Sequence, residues 1–265
     1  MTKLQFKLNK HSMLIWVGLL SLMIFGFMSF YPTMADQGMQ DLLEGMSDSM
    51  LQILGFDTFP DFSKIDQFYC YINQYINIAI VVFAVTLGLN TYLKEERDGT
   101  IEFLFNQPLT RTQLIVQKLI GNILILGSIL IAVIIVSCIS IAIFVPTDAN
   151  LNSILLSTIP VFGMIILSTF IFLLLGTGLS LILSSDLSVT GIAMGIVFVP
   201  YVLGMMAQMI EPLKRFELIS ILHTTMPDRI YSGTFNSNSI ILWLVLAGTT
   251  FIYGMIHFQK RDIKS

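Results

Sequence analysis

LKEERDGTIEFLFNQPLTRTQLIVQK, residues 93–118, holds the largest cluster of charge in a chain that is otherwise mostly apolar. Lys94, Glu95, Glu96, Arg97, Asp98 and Glu102 crowd together between two long apolar runs. Hydrocarbon does not accept such a segment, so it projects into water and offers a polar surface there. Gly99-Thr100 can turn the backbone. Ile101, Leu104 and Phe105 recur at i, i+3 and i+4, one face of a short helix. Pro108 ends that helix, because it lacks an N–H and restrains Gln107 before it. Thr110-Arg111-Thr112-Gln113 has capping-box spacing, which predicts a new helix start. The stretch reads as span, turn, short surface helix, proline break and capped span.

The rest of the composition agrees with spans on either side. Of 265 residues, 55% are hydrophobic and 12% are charged, and the mean hydropathy is +0.81. Soluble domains carry about 25% charged residues. A water-soluble core of this length cannot absorb so much apolar surface, so the chain is expected to be an all-α integral membrane protein. The net charge of −3 matters less than where the charges lie. Cys70 and Cys138 sit in apolar runs without metal-ligand neighbours and read as two lone thiols.

The apolar runs predict six spans, at about 13–31, 69–92, 114–145, 154–183, 189–210 and 240–258, forming one transmembrane domain over 1–265. Residues 1–12 carry Lys3, Lys7 and Lys10 between Leu4, Phe6 and Leu8, the pattern of a short interfacial helix. A basic start before an apolar run is also a signal-peptide pattern. This run is as long as a span and no small-residue cleavage pattern follows it, so a retained span is expected. Residues 32–68 form a first outer segment. In it Met39, Leu42, Leu43, Met46, Met50 and Leu54 share a helical face, suited to rest on the membrane or bundle or to cover an exit path. Residues 211–239 form a second outer segment.

An even number of spans puts both termini on one side. Placing them inside with residues 93–118 puts Lys3, Lys7, Lys10, Lys94, Arg97, Arg111, Lys118, Lys260, Arg261 and Lys264 inside, ten of the 14 basic residues. Lys64, Lys214, Arg215 and Arg229 remain outside. The positive-inside rule therefore gives cytoplasmic termini in a multi-pass cell-membrane protein.

No Asp, Glu, Lys or Arg lies in the middle of a span, which argues against a proton- or sodium-coupled transporter and against a membrane-embedded enzyme. No catalytic or metal constellation is visible. His223 and His257 read as surface or interfacial residues. There is no G-x-x-x-x-G-K-[ST] phosphate loop, so any ATP must be bound by another chain. Gly191 and Gly195 have G-x-x-x-G spacing, for packing within the subunit or against a second one, and Gly176 and Gly178 sit late in the fourth span. Thr86, Asn90, Asn122, Ser128, Ser137, Ser140, Ser168, Thr169, Thr177 and Ser180 lie in the spans, either joining helices or lining a weakly polar path.

Residues 95–111, EERDGTIEFLFNQPLTR, resemble the first cytoplasmic loop of type 2 ABC transporter permeases. The matching positions are Glu96, Gly99, Thr100, Glu102, Leu104, Pro108 and Arg111. The start resembles one branch of that family: a basic leader, then Ser12-Met13-Leu14-Ile15-Trp16, then Tyr31-Pro32. The resemblance implies a coupling helix that docks on an ATP-binding subunit. Glu95, Glu96, Arg97, Gly99, Thr100, Ile101, Glu102, Leu104, Phe105, Pro108 and Arg111 would form the docking loop. It further implies a second permease subunit, identical or paralogous, with membrane lipids around both and no nucleic acid. This chain would hold no cofactor, ATP and Mg being bound by the partner, and would not itself be an enzyme. The function implied is outward transport by alternating access; the uncharged spans suit an amphiphilic or apolar cargo such as a lipid, peptide antibiotic or drug. The alternative is a non-transporting membrane scaffold or sensor that recruits a soluble partner through the same loop.

Overall fold

The computed structural model describes residues 2–38, 41, 45, 61–100, 110–147, 149–209, 211–225, 229–230 and 236–260. The regular elements among them are all helical: α1 (Thr2–Met28), α2 (Tyr31–Met34), α3 (Ile65–Leu89), α4 (Leu93–Arg97), α5 (Arg111–Phe144), α6 (Leu151–Ser180), α7 (Val189–Met209), a 3-10 helix (Glu211–Ile219), α8 (Ile221–Thr224) and α9 (Ser237–Lys260). Six of them, α1, α3, α5, α6, α7 and α9, belong to segments long and apolar enough to cross a membrane. The chain is an all-α, multi-pass membrane protein.

Both faces of these helices are apolar, and burial separates core from lipid surface. On α5, Ile125, Ile129, Val133 and Ser137 are buried, whereas Ile131, Ile135, Ile139 and Ile143 form an exposed stripe one turn apart. A continuous apolar stripe of that kind is a liability in water and ordinary in lipid. α3 is the most enclosed helix; it packs chiefly on α6, while α1 lies along α5 and α9 lies along α6. At 34 residues, α5 is about 51 Å long, well beyond the ~30 Å of hydrocarbon. Part of it therefore extends past the bilayer core.

Some span hydroxyls and amides join helices. Tyr69 on α3 donates to Ser137 Oγ on α5 at 2.9 Å, and Ser168 on α6 donates to Asn77 Oδ1 on α3 at 2.9 Å. Thr86, Ser128, Thr177 and Ser180 instead bond carbonyls of their own helices.

Glycines make the closest helix approaches. A Cβ on Gly88 would lie 2.7 Å from the backbone nitrogen of Thr177, and one on Gly176 would lie 2.7 Å from Val85 O. On α6's other side, a Cβ on Gly178 would meet Phe251 N of α9 at 2.7 Å. Gly191 and Gly195 do not serve this purpose within the chain. Both are exposed; a Cβ on Gly191 would meet only Ser188 of its own turn, and one on Gly195 would meet nothing within 4 Å.

The basic leader is not a separate interfacial helix. It is continuous with the first span as α1, because no proline or glycine interrupts residues 2–17. Met39, Leu42, Leu43, Met46, Met50 and Leu54 lie outside the described residues.

Candidate functional site

The backbone around residues 89–113 is set by local capping. α3 stops at Leu89, with Asn90 as its cap, and the chain turns through Thr91 and Tyr92 into the single helical turn α4. The end of α4 is a Schellman cap. Gly99 N–H donates to Glu96 O at 3.3 Å and Thr100 N–H to Glu95 O at 3.0 Å. That motif needs a left-handed residue, and Gly99 supplies it with φ of 65°. Thr110 begins α5 with a reciprocal capping box: its hydroxyl accepts from Gln113 N–H at 3.3 Å, and its N–H donates to Gln113 Oε1 at 3.1 Å. The capping-box spacing of the sequence thus forms the predicted helix start.

Beneath this turn lies a buried polar cluster. Lys118, two turns into α5, is 2% exposed. Its ammonium pairs with the Glu95 carboxylate and donates to Thr91 O at 2.8 Å. It also lies 4.6 Å from the centre of the Tyr92 ring, in cation–π range. One turn further on, Asn122 donates to Thr91 Oγ1 at 2.8 Å and accepts from Gln5 Nε2 of α1 at 3.1 Å. One lysine and one asparagine, four residues apart on a helix face, therefore tie α1, the end of α3, α4 and α5 together. Burial pushes the Glu95 carboxyl above the usual carboxylate range, and Lys118 pulls it back. Geometry favours the ion pair, because a buried ammonium with a carboxylate and a carbonyl at hand is poorly placed to lose its proton.

A second clasp closes the same end of the bundle. Arg111, the first residue of α5, donates through Nη1 to Phe258 O at 3.0 Å and Gln259 O at 3.1 Å. These carbonyls belong to the last described turn of α9, where the helix dipole favours a cation. Gln259 Nε2 returns a bond to Thr112 Oγ1 at 3.0 Å. The start of α1, the end of α9 and the charged turn thus share one end of the molecule.

Of the residues predicted to dock, Glu95 and Arg111 are engaged within the chain. Glu96 is half-buried, while Arg97, Gly99 and Thr100 are exposed. Ile101, Glu102, Leu104, Phe105 and Pro108 lie outside the described residues. Sequence reasoning missed Lys118, Thr91 and Gln5. The available signal was the i, i+4 pair Lys118 and Asn122 within an apolar run.

At the opposite end, His223 is fully buried, not a surface or interfacial residue. Gly204 of α7 permits this: a Cβ there would stand 2.5 Å from Ser220 Cβ and 2.8 Å from His223 Cβ. Ser220 caps α8 by accepting from His223 N–H at 3.2 Å, and Trp243 Nε1 of α9 pins the segment by donating to Ile219 O at 2.8 Å. Neither imidazole nitrogen has a hydrogen-bond partner among the described residues. Burial pushes the His223 pKa down from 6.5 to about 4, with Arg229 adding to the fall and the Arg229-paired Glu217 opposing it. The unfolded chain then binds the proton first. Stability is full above about pH 6.5 and falls as the pH drops towards 4, by up to about 3 kcal/mol. Thermal unfolding in detergent at pH 7.5 and pH 4.5 should show this loss, and His223→Leu should shrink it. An equal loss in the variant would remove His223 as its source.

Set against known proteins, the chain matches the family model described as ABC-2 family transporter protein over residues 7–262. No curated protein matches it.

Proposed function

Because the chain belongs to the ABC-2 family of transporter proteins, we infer that it is the permease of an exporter, moving an amphiphilic or apolar cargo outward across the cell membrane. As a permease subunit of an ABC transporter it pairs with an ATP-binding subunit. In our reading that separate chain binds ATP and Mg and docks on the 93–113 loop. The single observation that carries this reading is the anchoring of the loop's stem. A charged turn that were merely solvated would need no buried ion pair beneath it. Here Lys118 and Asn122 connect the stem to three spanning helices, so a push on the turn reaches α1, α3 and α5 together.

In this reading the loop and both termini are cytoplasmic. Arg111 and Glu95 hold the loop in place, and Glu96, Arg97, Gly99 and Thr100 with the 101–108 stretch face the ATPase. A second permease subunit, a copy or a paralogue, covers part of the exposed face of α7 around Gly191 and Gly195, where the missing side chains allow close backbone approach.

The test is copurification. Glu102→Lys reverses a charge at the proposed interface, and joint Leu104→Ser and Phe105→Ser removes its apolar anchor. Loss of a buried charged partner typically costs about 2–5 kcal/mol, so the ATPase recovered with the tagged permease should drop at least tenfold. Transport should drop with it, while membrane insertion stays at the parental level. Parental recovery of the ATPase in both variants would refute docking through this loop. Loss of a soluble partner that has no ATPase activity would favour the scaffold reading.

A further inference from the structure

We propose that the end of the bundle opposite residues 93–118 carries a lateral binding site for a single hydrocarbon chain. A cavity of about 410 Å³ lies between the end of α1, α2 and the first three turns of α3. Its walls are dominated by six aromatic rings, those of Phe27, Phe30, Phe62, Phe68, Tyr71 and Tyr75. The rings brace one another. Phe62 stands edge-on to Phe68 at 5.5 Å, Tyr71 stands edge-on to Tyr75 at 5.5 Å, and Phe27 stacks on Tyr75 at 6.3 Å. Tyr31 fixes the far wall by donating its hydroxyl to Ser63 O at 2.8 Å. The cavity is thus a braced structure, and its size falls in the range of small-molecule pockets, ~300–1,000 Å³.

The chemistry selects the ligand. No described residue lining the cavity is charged, so these walls offer nothing to an ion. The hydroxyls of Tyr71 and Tyr75 lie 2.9 Å apart and bond each other. Of the lining residues Phe27, Phe30 and Tyr75 are exposed, and Leu22 and Leu19, one and two turns back along α1 from Phe27, are exposed as well. The site therefore opens onto the lipid-facing surface of the spans. An apolar void of this size is unfavourable when empty and has too few polar partners to hold water. The solvent at its mouth is acyl chain, and one chain entering sideways fills it. A membrane phospholipid and a free single-chain amphiphile present the same hydrocarbon, so the site accepts either. The inference stands on the cavity and its opening and does not depend on the direction of transport.

Photolabelling of the full chain in phosphatidylcholine vesicles tests it. One probe is phosphatidylcholine carrying a diazirine on an acyl chain; the other is a diazirine-bearing palmitate. Labels should concentrate on peptides covering residues 62–75. Met34→Trp, which fills the cavity from α2, should reduce that labelling about tenfold, a decade in affinity. Tyr75→Trp, which narrows the mouth, serves as a second variant should the first fold poorly. Leu22→Trp, on the open lipid surface, should leave labelling of 62–75 unchanged. Displacement of the phospholipid label by unlabelled palmitate identifies a free amphiphile as an occupant, and resistance to displacement identifies a resident lipid. Labels spread evenly over the exposed stripe of α5, indifferent to both cavity variants, would overturn the site.

Discussion

Lys118→Met should be among the most destabilising single substitutions in the bundle, lowering stability by about 3 kcal/mol. The methionine fills most of the lysine's volume, so the loss measures charge and hydrogen bonding more than space. Removing the ammonium leaves the Glu95 carboxylate half-buried without its cation, and leaves Thr91 O without the donor at 2.8 Å. Breaking a buried pair costs about 3–5 kcal/mol, and the low end applies because the Glu95 side chain keeps 21% of its exposure. Glu95 also has an escape. Burial already raises its pKa, and loss of the Lys118 charge raises it further, which caps the penalty. Restoring the balance should restore the fold: joint Lys118→Met and Glu95→Met, an apolar pair in place of an ionic one, should recover more than half of the loss. Thermal unfolding of the purified permease in detergent reads all three proteins. A single variant as stable as the parent would show that the pair contributes nothing, and a double variant no better than the single would place the effect elsewhere. In the transporter reading, Lys118→Met should also reduce ATPase recovery, because the turn that presents Glu96 and Arg97 loses its anchor.

The sequence made part of this site legible and hid the rest for a physical reason. Capping is local, so Thr110 to Gln113 announced a helix start and Gly99 announced a turn, and both formed as read. Charge placement is also local, and the bias of basic residues grouped the loop with both termini; Gln5 and Arg111 join these at one end of the molecule. Burial is different. In lipid the outward face is as apolar as the core, so hydrophobic period does not separate Ile129, buried, from Ile131, exposed. Lys118 counted as one more basic residue at an inner edge, yet its surroundings come from Glu95 and Thr91 on other elements. His223 followed the same course, since its burial depends on Gly204 some twenty residues earlier. Glycine placement was legible in part. Gly176 and Gly178, read in the fourth span, make close approaches together with Gly88, whereas of the two roles read for Gly191 and Gly195 packing on another helix of the same chain does not occur among the described residues.

Gly176→Ala and Gly195→Ala should have opposite signs, although each adds one methyl to a spanning helix. At Gly176 the new Cβ would sit 2.7 Å from Val85 O and 3.2 Å from Val85 Cα. Those atoms are backbone and have no rotamer to change, so α3 and α6 must part. Overpacking of this kind costs about 1–3 kcal/mol, and the upper end is expected because the seam joins the two most buried helices. At Gly195 nothing of the same chain stands within 4 Å, so in the single subunit, away from the proposed second permease, alanine gains up to about 1 kcal/mol of helix propensity. Gly88 provides the internal check. Its Cβ would strike Thr177 N at 2.7 Å and Gly176 C at 2.9 Å, which is the same gap seen from α3. Once the helices have parted for one methyl, the second enters at little further loss. Gly88→Ala and Gly176→Ala together should therefore cost less than their sum. Unfolding midpoints of the four variants decide the matter, with strict additivity, or a silent Gly176→Ala, ruling out the glycine seam. The seam ends just before Asn90, where α3 hands over to the turn that holds Glu95. A wedge at Gly176 should accordingly disturb the Lys118 pairing as well as stability, and adding it to Lys118→Met should again cost less than the sum.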